Sequence, residues 1–248
     1  MTIAAIMQPT YLPWLGYFDL MDQSDVFVFL DSVQFDKRSW QQRNRIKCPN
    51  GEQMLTVPVL TKGLFRQKIF EARIDPDSNF ADSHIRSIQL NYAKAKYFPQ
   101  YFGQLEAILK KRQTLLVDLN MDLISWFKEV LGIKAQTIRS SSLNILGKKA
   151  DLLANICKEL NIEHYLSPAG SGGYIGEDNV FDEYGIRLSY QNYEPVLYRQ
   201  LYGEFIPYLS VLDLLFNEGE QSLAVIRAGR KSDLKKLPEG ANKVTEPV

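Results

Sequence analysis

The sequence predicts an α/β protein built on a doubly wound, mostly parallel sheet, with a helical insertion and a small β-hairpin. Three observations predict it. An apolar run, Ile3-Ala4-Ala5-Ile6-Met7, opens the chain and stops at Gln8. A second run, Val26-Phe27-Val28-Phe29-Leu30, is apolar at every position and stops at Asp31. Continuous runs of this length suit strands buried on both faces, as in parallel sheets. Strand and helix patterns then alternate again from residue 135 onward. Ligands of open parallel sheets bind beyond the carboxyl ends of the strands. Gln8 and Asp31 are therefore placed at two such ends.

The elements follow in order. Between the first two runs, Gln8-Pro-Thr-Tyr-Leu-Pro-Trp-Leu-Gly-Tyr-Phe18 forms a turn and the start of a short helix. A polar, basic segment spans 34–50. Residues 54–59 read as a strand, with Pro58 marking an edge or strand end. Residues 69–74 alternate as a second strand, and a turn near 61–63 would pair the two. Residues 79–131 read as a helical insertion. Leu116, Leu119, Leu123, Phe127, Val130 and Leu131 form an apolar stripe at helical spacing, and Gly132 stops that helix. The alternation then resumes with a strand at 135–138, a helix at 149–160, and strands at 164–166 and 186–190. Residues 207–217 form a buried helix whose polar exceptions, Ser210, Asp213 and Asn217, share one face. A single domain spans 1–228, and the polar residues 229–248 form a disordered tail.

Composition narrows the function. Of the 248 residues, 45% are hydrophobic and 23% charged, as in soluble globular proteins. Twenty-nine basic residues balance twenty-nine acidic ones, which argues against nucleic acid as the main partner. Cys48, Cys157, His84 and His164 lack metal-site spacing, and both thiols read as structural. No apolar run is long enough to span a bilayer, so no membrane partner is expected and the default location is cytoplasmic. No motif specifies a cofactor or an oligomeric state.

Four places carry candidate chemistry. In the opening turn, Gly16 permits close backbone approach, and Tyr11, Trp14 and Tyr17 offer flat surfaces for a base or sugar ring. A helix N-terminus there would supply N–H groups to a phosphate. Trp14 and Phe18 read mainly as core, whereas Gln8 and Tyr11 read as functional. The second place is Asp31 with the basic stretch that follows. Asp31 can orient a ribose, accept a proton, or share a magnesium ion with substrate phosphates. Gln34, Lys37, Arg43, Asn44 and Arg45 surround the ligand in this reading, with the cations on phosphate or carboxylate. The third is the strand ends of the second half, where Ser140 and the loop carrying Ser171 and Tyr174 suit phosphate. The fourth is the Ser210–Asp213–Asn217 face, read as structural and anchoring a basic loop residue.

These motifs resemble one family along nearly the whole chain. Gln8-Pro-Thr-Tyr-Leu-Pro-Trp-Leu-Gly-Tyr-Phe18, Leu30-Asp31-Ser-Val-Gln34-Phe35, Arg43-Asn-Arg45-Ile46 and Leu55-Thr-Val-Pro-Val59 are similar to the WbqC-like family. Leu90-Asn-Tyr92, Gly147-Lys-Lys149, Tyr165-Leu-Ser167 and Asp213-Leu-Leu-Phe-Asn217 continue the match in order. The resemblance implies a place in bacterial O-antigen or other surface-polysaccharide biosynthesis. Members commonly carry histidine where this chain has Met7, so no role of that histidine transfers. The opening unit also resembles that of HUP-like nucleotidyltransferases. Their two histidines flanking the turn are absent here, where Trp14-Leu15-Gly16-Tyr17 stands, so the likeness concerns fold. The expected function is a transferase acting on a nucleotide-activated or amino sugar, with acyl or aminoacyl transfer favoured. Asp31 and Gln8 are its catalytic residues, and its partner is a small phosphorylated or nucleotide-sugar ligand. The alternatives are a non-catalytic nucleotide-sugar-binding protein on the same fold and an RNA-binding module.

Overall fold

The structure, a computed structural model, describes residues 1–168 and 180–231. Five strands form one wholly parallel sheet: β1 (Ile3–Met7), β2 (Val26–Phe29), β5 (Gln136–Arg139), β6 (His164–Ser167) and β7 (Arg187–Tyr190). A separate antiparallel pair is made by β3 (Arg43–Cys48) and β4 (Gly51–Thr56). The large sheet has the order β5-β2-β1-β6-β7. Counted by appearance within that sheet, this is 3-2-1-4-5, so the winding direction reverses between β1 and β6. In such sheets the strand ends at the reversal leave a crevice for ligands.

Alternate side chains of the central strands enter two different cores, which is why the strand sequences are apolar throughout. Ala5, Phe27, Phe29 and Leu166 join the larger core. Ala4, Ile6, Val28 and Tyr165 join the smaller one on the opposite face. The larger core is closed by α1 (Leu15–Asp22), α2 (Phe80–Tyr92), α3 (Phe98–Leu109), α4 (Leu116–Leu131), α7 (Val211–Glu218) and α8 (Ser222–Ala228). The smaller one is closed by α5 (Lys149–Glu159) and α6 (Val180–Glu183). Burial pushes the Cys157 thiol of α5 up to about 12, an inert core thiol.

The predicted helices of the insertion are present. Pro99 is the second residue of α3, where its missing N–H costs nothing, and Gly132 ends α4 at φ +76. The hairpin forms with a different partner from the one expected. β4 pairs with Arg43–Cys48, and Cys48 faces Gly51 across Pro49 and Asn50. The signal overlooked was the Pro49-Asn50 loop followed by Gly51, which opens β4 at φ +114. Residues 69–71 are a 3₁₀ turn, and only a short bridge joins Val59 to Ile74.

Two polar networks hold the outer helices. Asp19 of α1 is fully buried and accepts from Gln191 Nε2 at 2.6 Å, Gln23 Nε2 at 2.7 Å and Arg230 Nε at 2.9 Å. Arg230 also bonds Asp22 at 2.8 Å, so this residue, in the stretch read as tail, fastens the end of the described chain to α1. Asp213 of α7 accepts the hydroxyls of Tyr92 at 2.9 Å and Tyr198 at 2.7 Å. Lys47 of β3 joins it through Gln200, whose Nε2 donates to Tyr198. Burial raises Asp213 above its ordinary value and lowers Lys47 below its own. Asp213 thus serves a packing network that includes a basic residue of the 34–50 segment.

Gly16 is required by packing. A Cβ there would lie 2.2 Å from the Trp14 ring, which packs at 5.6 Å on Tyr193 and 5.5 Å on Tyr208. Gly16→Ala is expected to destabilise the protein by about 2 kcal/mol, read by urea denaturation. An unchanged midpoint would mean that the indole moves aside freely.

Candidate functional site

A cavity of about 500 Å³ opens beyond the carboxyl ends of β1, β2 and β6, at the reversal of the sheet. Its apolar floor comprises Ile6, Leu30, Val33, Leu152 and Leu153. Gln8, Thr10, Ser39 and Gln41 supply amides and hydroxyls, and Trp40 and Tyr165 supply rings. Asp36 and Lys149 are its charged lining residues among the described residues.

The polar wall is preorganised by three layers of hydrogen bonds. Tyr11 N–H donates to Trp40 O at 3.0 Å, joining the turn after β1 to the segment before β3. Asn44 Nδ2 donates to Leu12 O at 2.7 Å and Tyr11 O at 3.3 Å. Asn120, buried on α4, donates from Nδ2 to Gln41 O at 2.8 Å and Pro9 O at 3.2 Å. Side chains whose backbones are clamped in this way hold their position without help from a ligand. Three non-glycine residues here adopt left-handed backbone: Leu12 at φ +46, Lys149 at φ +50, and Arg38, between the lining residues Asp36 and Ser39, at φ +63. Each costs about 1–2 kcal/mol, and such strain gathers at ligand sites.

Asp31 stands at the end of β2, as its sequence position predicts, but its carboxylate faces β5. Oδ2 accepts from Arg139 Nε and Ser141 Oγ, both at 2.7 Å. Oδ1 accepts the Ser141 N–H at 2.8 Å and lies 3.1 Å from Ser140 Oγ. Ser140 Oγ in turn accepts the backbone N–H groups of Asp31 and Ser32. Asp31 is fully buried and Ser140 nearly so. Both oxygens are occupied by the neighbouring strand end, so Asp31 and Ser140 form a clamp between β2 and β5. Neither Asp31 nor Ser140 is among the residues that line the cavity.

Gln8 and Gln34 line the cavity, and among the described residues they are the two predicted site residues placed there. Tyr11 lies in the core, with its hydroxyl 2.8 Å from His84 Nδ1, and burial pushes that hydroxyl well above its ordinary range. Tyr17 packs against Phe18 and Phe27 in the core, and its hydroxyl, too, is shifted upward by burial. Neither ring presents a face to a ligand. The start of α1 is covered instead: Trp14 bridges to Ser210, and Val211 N–H donates to Pro13 O at 2.8 Å. Asn44 is the internal brace described above. Arg45 pairs with Glu52 at 3.0 Å and lies over the Trp40 ring. Arg43 is half-buried on β3, and Lys37 is exposed outside the cavity lining. The basic stretch is therefore dispersed over a strand, a core network and a loop rather than gathered on one face. Ser171 and Tyr174 lie outside the described residues.

Sequence reasoning missed Thr10, Asp36, Ser39, Gln41 and Lys149. Gly147-Lys148-Lys149 held a usable signal, since it places a lysine at the start of the helix that leads into β6.

A family model described as the WbqC-like protein family matches residues 8–225. The chain belongs to the WbqC-like family. This WbqC-like protein is 39% identical over 229 residues to the uncharacterized protein Rv1507c of Mycobacterium tuberculosis (strain ATCC 25618 / H37Rv). The alignment covers 92% of this chain and 98% of the mycobacterial protein. No solved structure matches. The matched region starts at Gln8 and spans the turn, the hairpin and the helices that brace the cavity of the WbqC-like fold. No helix among the described residues is long and apolar enough to cross a membrane.

Proposed function

We propose that this WbqC-like protein is a transferase of bacterial surface-polysaccharide biosynthesis acting on a nucleotide-activated or amino sugar. Acyl or aminoacyl transfer to the sugar amine is the favoured reaction. The observation that carries this reading is the cavity at the sheet reversal, with an apolar floor and a rim of amides, hydroxyls, one carboxylate and one lysine. Cavities of this size with a few placed polar groups suit small molecules. Multiple amide and hydroxyl groups around a ring platform match the hydroxyls and flat face of a sugar. Lys149 supplies the charge for a phosphate or carboxylate.

In this reading Asp36, rather than Asp31, takes the acid–base role. The amine attacks the acyl carbonyl, the C–N bond forms, and the bond to the acyl carrier breaks. The amine's proton passes to Asp36, and the carrier departs with the electron pair. The ring of Trp40 and the amide of Gln8 position the sugar.

The test is a thermal-shift screen against nucleotide sugars, acyl-CoA and amino acids, followed by incubation of each hit with candidate co-substrates and mass spectrometry. The expected result is a nucleotide-sugar hit and a product heavier by one acyl group. Lys149→Glu is expected to weaken the nucleotide-sugar hit about tenfold, or about 1.4 kcal/mol. A hit that Lys149→Glu leaves unchanged would contradict the cavity as its site.

One observation favours a second reading, a nucleotide-sugar-binding protein without turnover. The buried strand-end carboxylate, Asp31, is committed to Arg139, Ser140 and Ser141. Binding with no product in any pairing would support that reading. Against the RNA-binding alternative, Arg45 is paired and Lys47 is buried.

A further inference from the structure

We infer that Gln41 fixes the polarity of Gln8, so that the end of β1 presents an amide N–H pair to the cavity. Together with Lys149 this forms a subsite for an anionic oxygen group. The inference rests on the cavity being the ligand site, and it names which chemical group that site receives at β1.

The polarity follows from a fixed donor. The backbone N–H of Asp36 lies 3.0 Å from the Gln41 side chain, so the atom facing it must be the carbonyl oxygen, Oε1. Gln41 then has only its Nε2 left to meet Gln8, at 2.8 Å. An N–H facing Gln8 requires an acceptor, so Gln8 turns its Oε1 inward. Its Nε2 is left with two N–H donors and no protein acceptor among the described residues. A backbone donor that cannot change therefore sets a ligand-facing donor two side chains away.

The relay is held at both ends. Gln41 is 2% exposed, its N–H is 3.3 Å from Ser39 Oγ, and its carbonyl is held by Asn120. Asn120 also holds Pro9, the residue next to Gln8. Gln8 and Lys149 line the same cavity, one from β1 and one from the start of α5. An amide donor and an ammonium on one cavity select an acceptor carrying negative charge, such as a phosphate or a carboxylate. Asp36 lines the cavity too, and it disfavours an anion at its own side. Gln41 is then a positioning residue, acting through Gln8.

The experiment titrates the full chain with inorganic pyrophosphate and, separately, with succinate, at constant ionic strength. It follows the Gln8 side-chain amide by ¹H–¹⁵N NMR and affinity by calorimetry. One of the two probes is expected to bind and to shift the Gln8 amide signals, which identifies phosphate or carboxylate as the group. Gln8→Met is expected to weaken that probe about tenfold or more. Gln41→Glu keeps the acceptor for the Asp36 N–H but turns the other end into an acceptor. Gln8 must then reverse and present its oxygen. The probe is expected to weaken by a similar factor, and the Gln8 amide signals are expected to stop responding. If Gln41→Glu does not fold, Gln41→Met removes the relay without adding charge, and a several-fold weakening is expected. Gln8 signals that respond equally in wild type and in either Gln41 variant would overturn the relay. A nucleotide sugar that binds in the cavity while neither probe shifts Gln8 would overturn the anion subsite and leave the cavity reading intact.

Discussion

Replacing Asp31 by asparagine is expected to lower stability by about 3 kcal/mol and the melting temperature by roughly 10 °C. Asp31 has no exposed surface, and its two oxygens meet Arg139 Nε, the Ser141 N–H and hydroxyl, and Ser140 Oγ. An amide in its place turns one end into a donor that faces other donors. The Arg139 guanidinium also loses its buried counter-charge. Arg139 is one-third exposed, so water recovers part of that loss, which keeps the figure at the lower end for buried pairs. The cavity does not include Asp31, so ligand binding by the folded fraction of Asp31→Asn should persist. An acid–base role would give the reverse: ordinary stability and lost turnover. Differential scanning calorimetry beside a binding titration separates the two.

The second large effect is on pH dependence, through His84. Burial holds its imidazole down to about 4, against an ordinary value of 6.5, while a backbone hydrogen bond with Thr56 opposes the shift. The neutral ring accepts the Tyr11 hydroxyl at Nδ1. Between these two values the unfolded chain takes up a proton that the folded chain refuses. The contribution of His84 is therefore complete above about pH 6.5 and declines as the pH falls toward 4. Below that it levels off, because both states are then protonated. The full difference corresponds to about 3 kcal/mol. Burial raises Asp19 and Asp213, which act in the opposite direction, so the informative quantity is the difference between wild type and His84→Gln. Urea denaturation from pH 7 to pH 4 is expected to show a shallower loss in the variant. Parallel curves would mean that His84 is not held neutral.

The local pattern was enough to read the sheet and the insertion. Uninterrupted apolar runs announced β1 and β2 because both faces of each strand are covered, and the α4 stripe ended at a glycine that can adopt positive φ. The positions of Gln8 and Asp31 at strand ends follow from the same runs. What they do depends on neighbours that sequence order conceals. β5 lies beside β2 only because the sheet runs 3-2-1-4-5, and that order brings Arg139, Ser140 and Ser141 onto Asp31 from about 110 residues away. Tyr11 reads as a ligand platform until His84 arrives from α2 to take its hydroxyl. The basic stretch reads as one patch because charge is counted along the chain. Folded as a strand, Arg43, Arg45 and Lys47 meet separate surroundings: Arg45 reaches Glu52, and Lys47 reaches Gln200. Gln41 and Asn120 carry no motif at all. Their roles appear only when two backbone carbonyls and an amide are seen to converge on the turn after β1.

The most direct measurement is a crystal structure of the protein with the nucleotide sugar that gives the largest thermal shift. The account predicts ligand density in the cavity beyond β1 and β6, with an anionic oxygen within hydrogen-bond distance of Gln8 Nε2 and Lys149 Nζ, and with Asp31 still bonded to Arg139 and Ser141. Density at the start of α1, with the cavity unchanged, would contradict it.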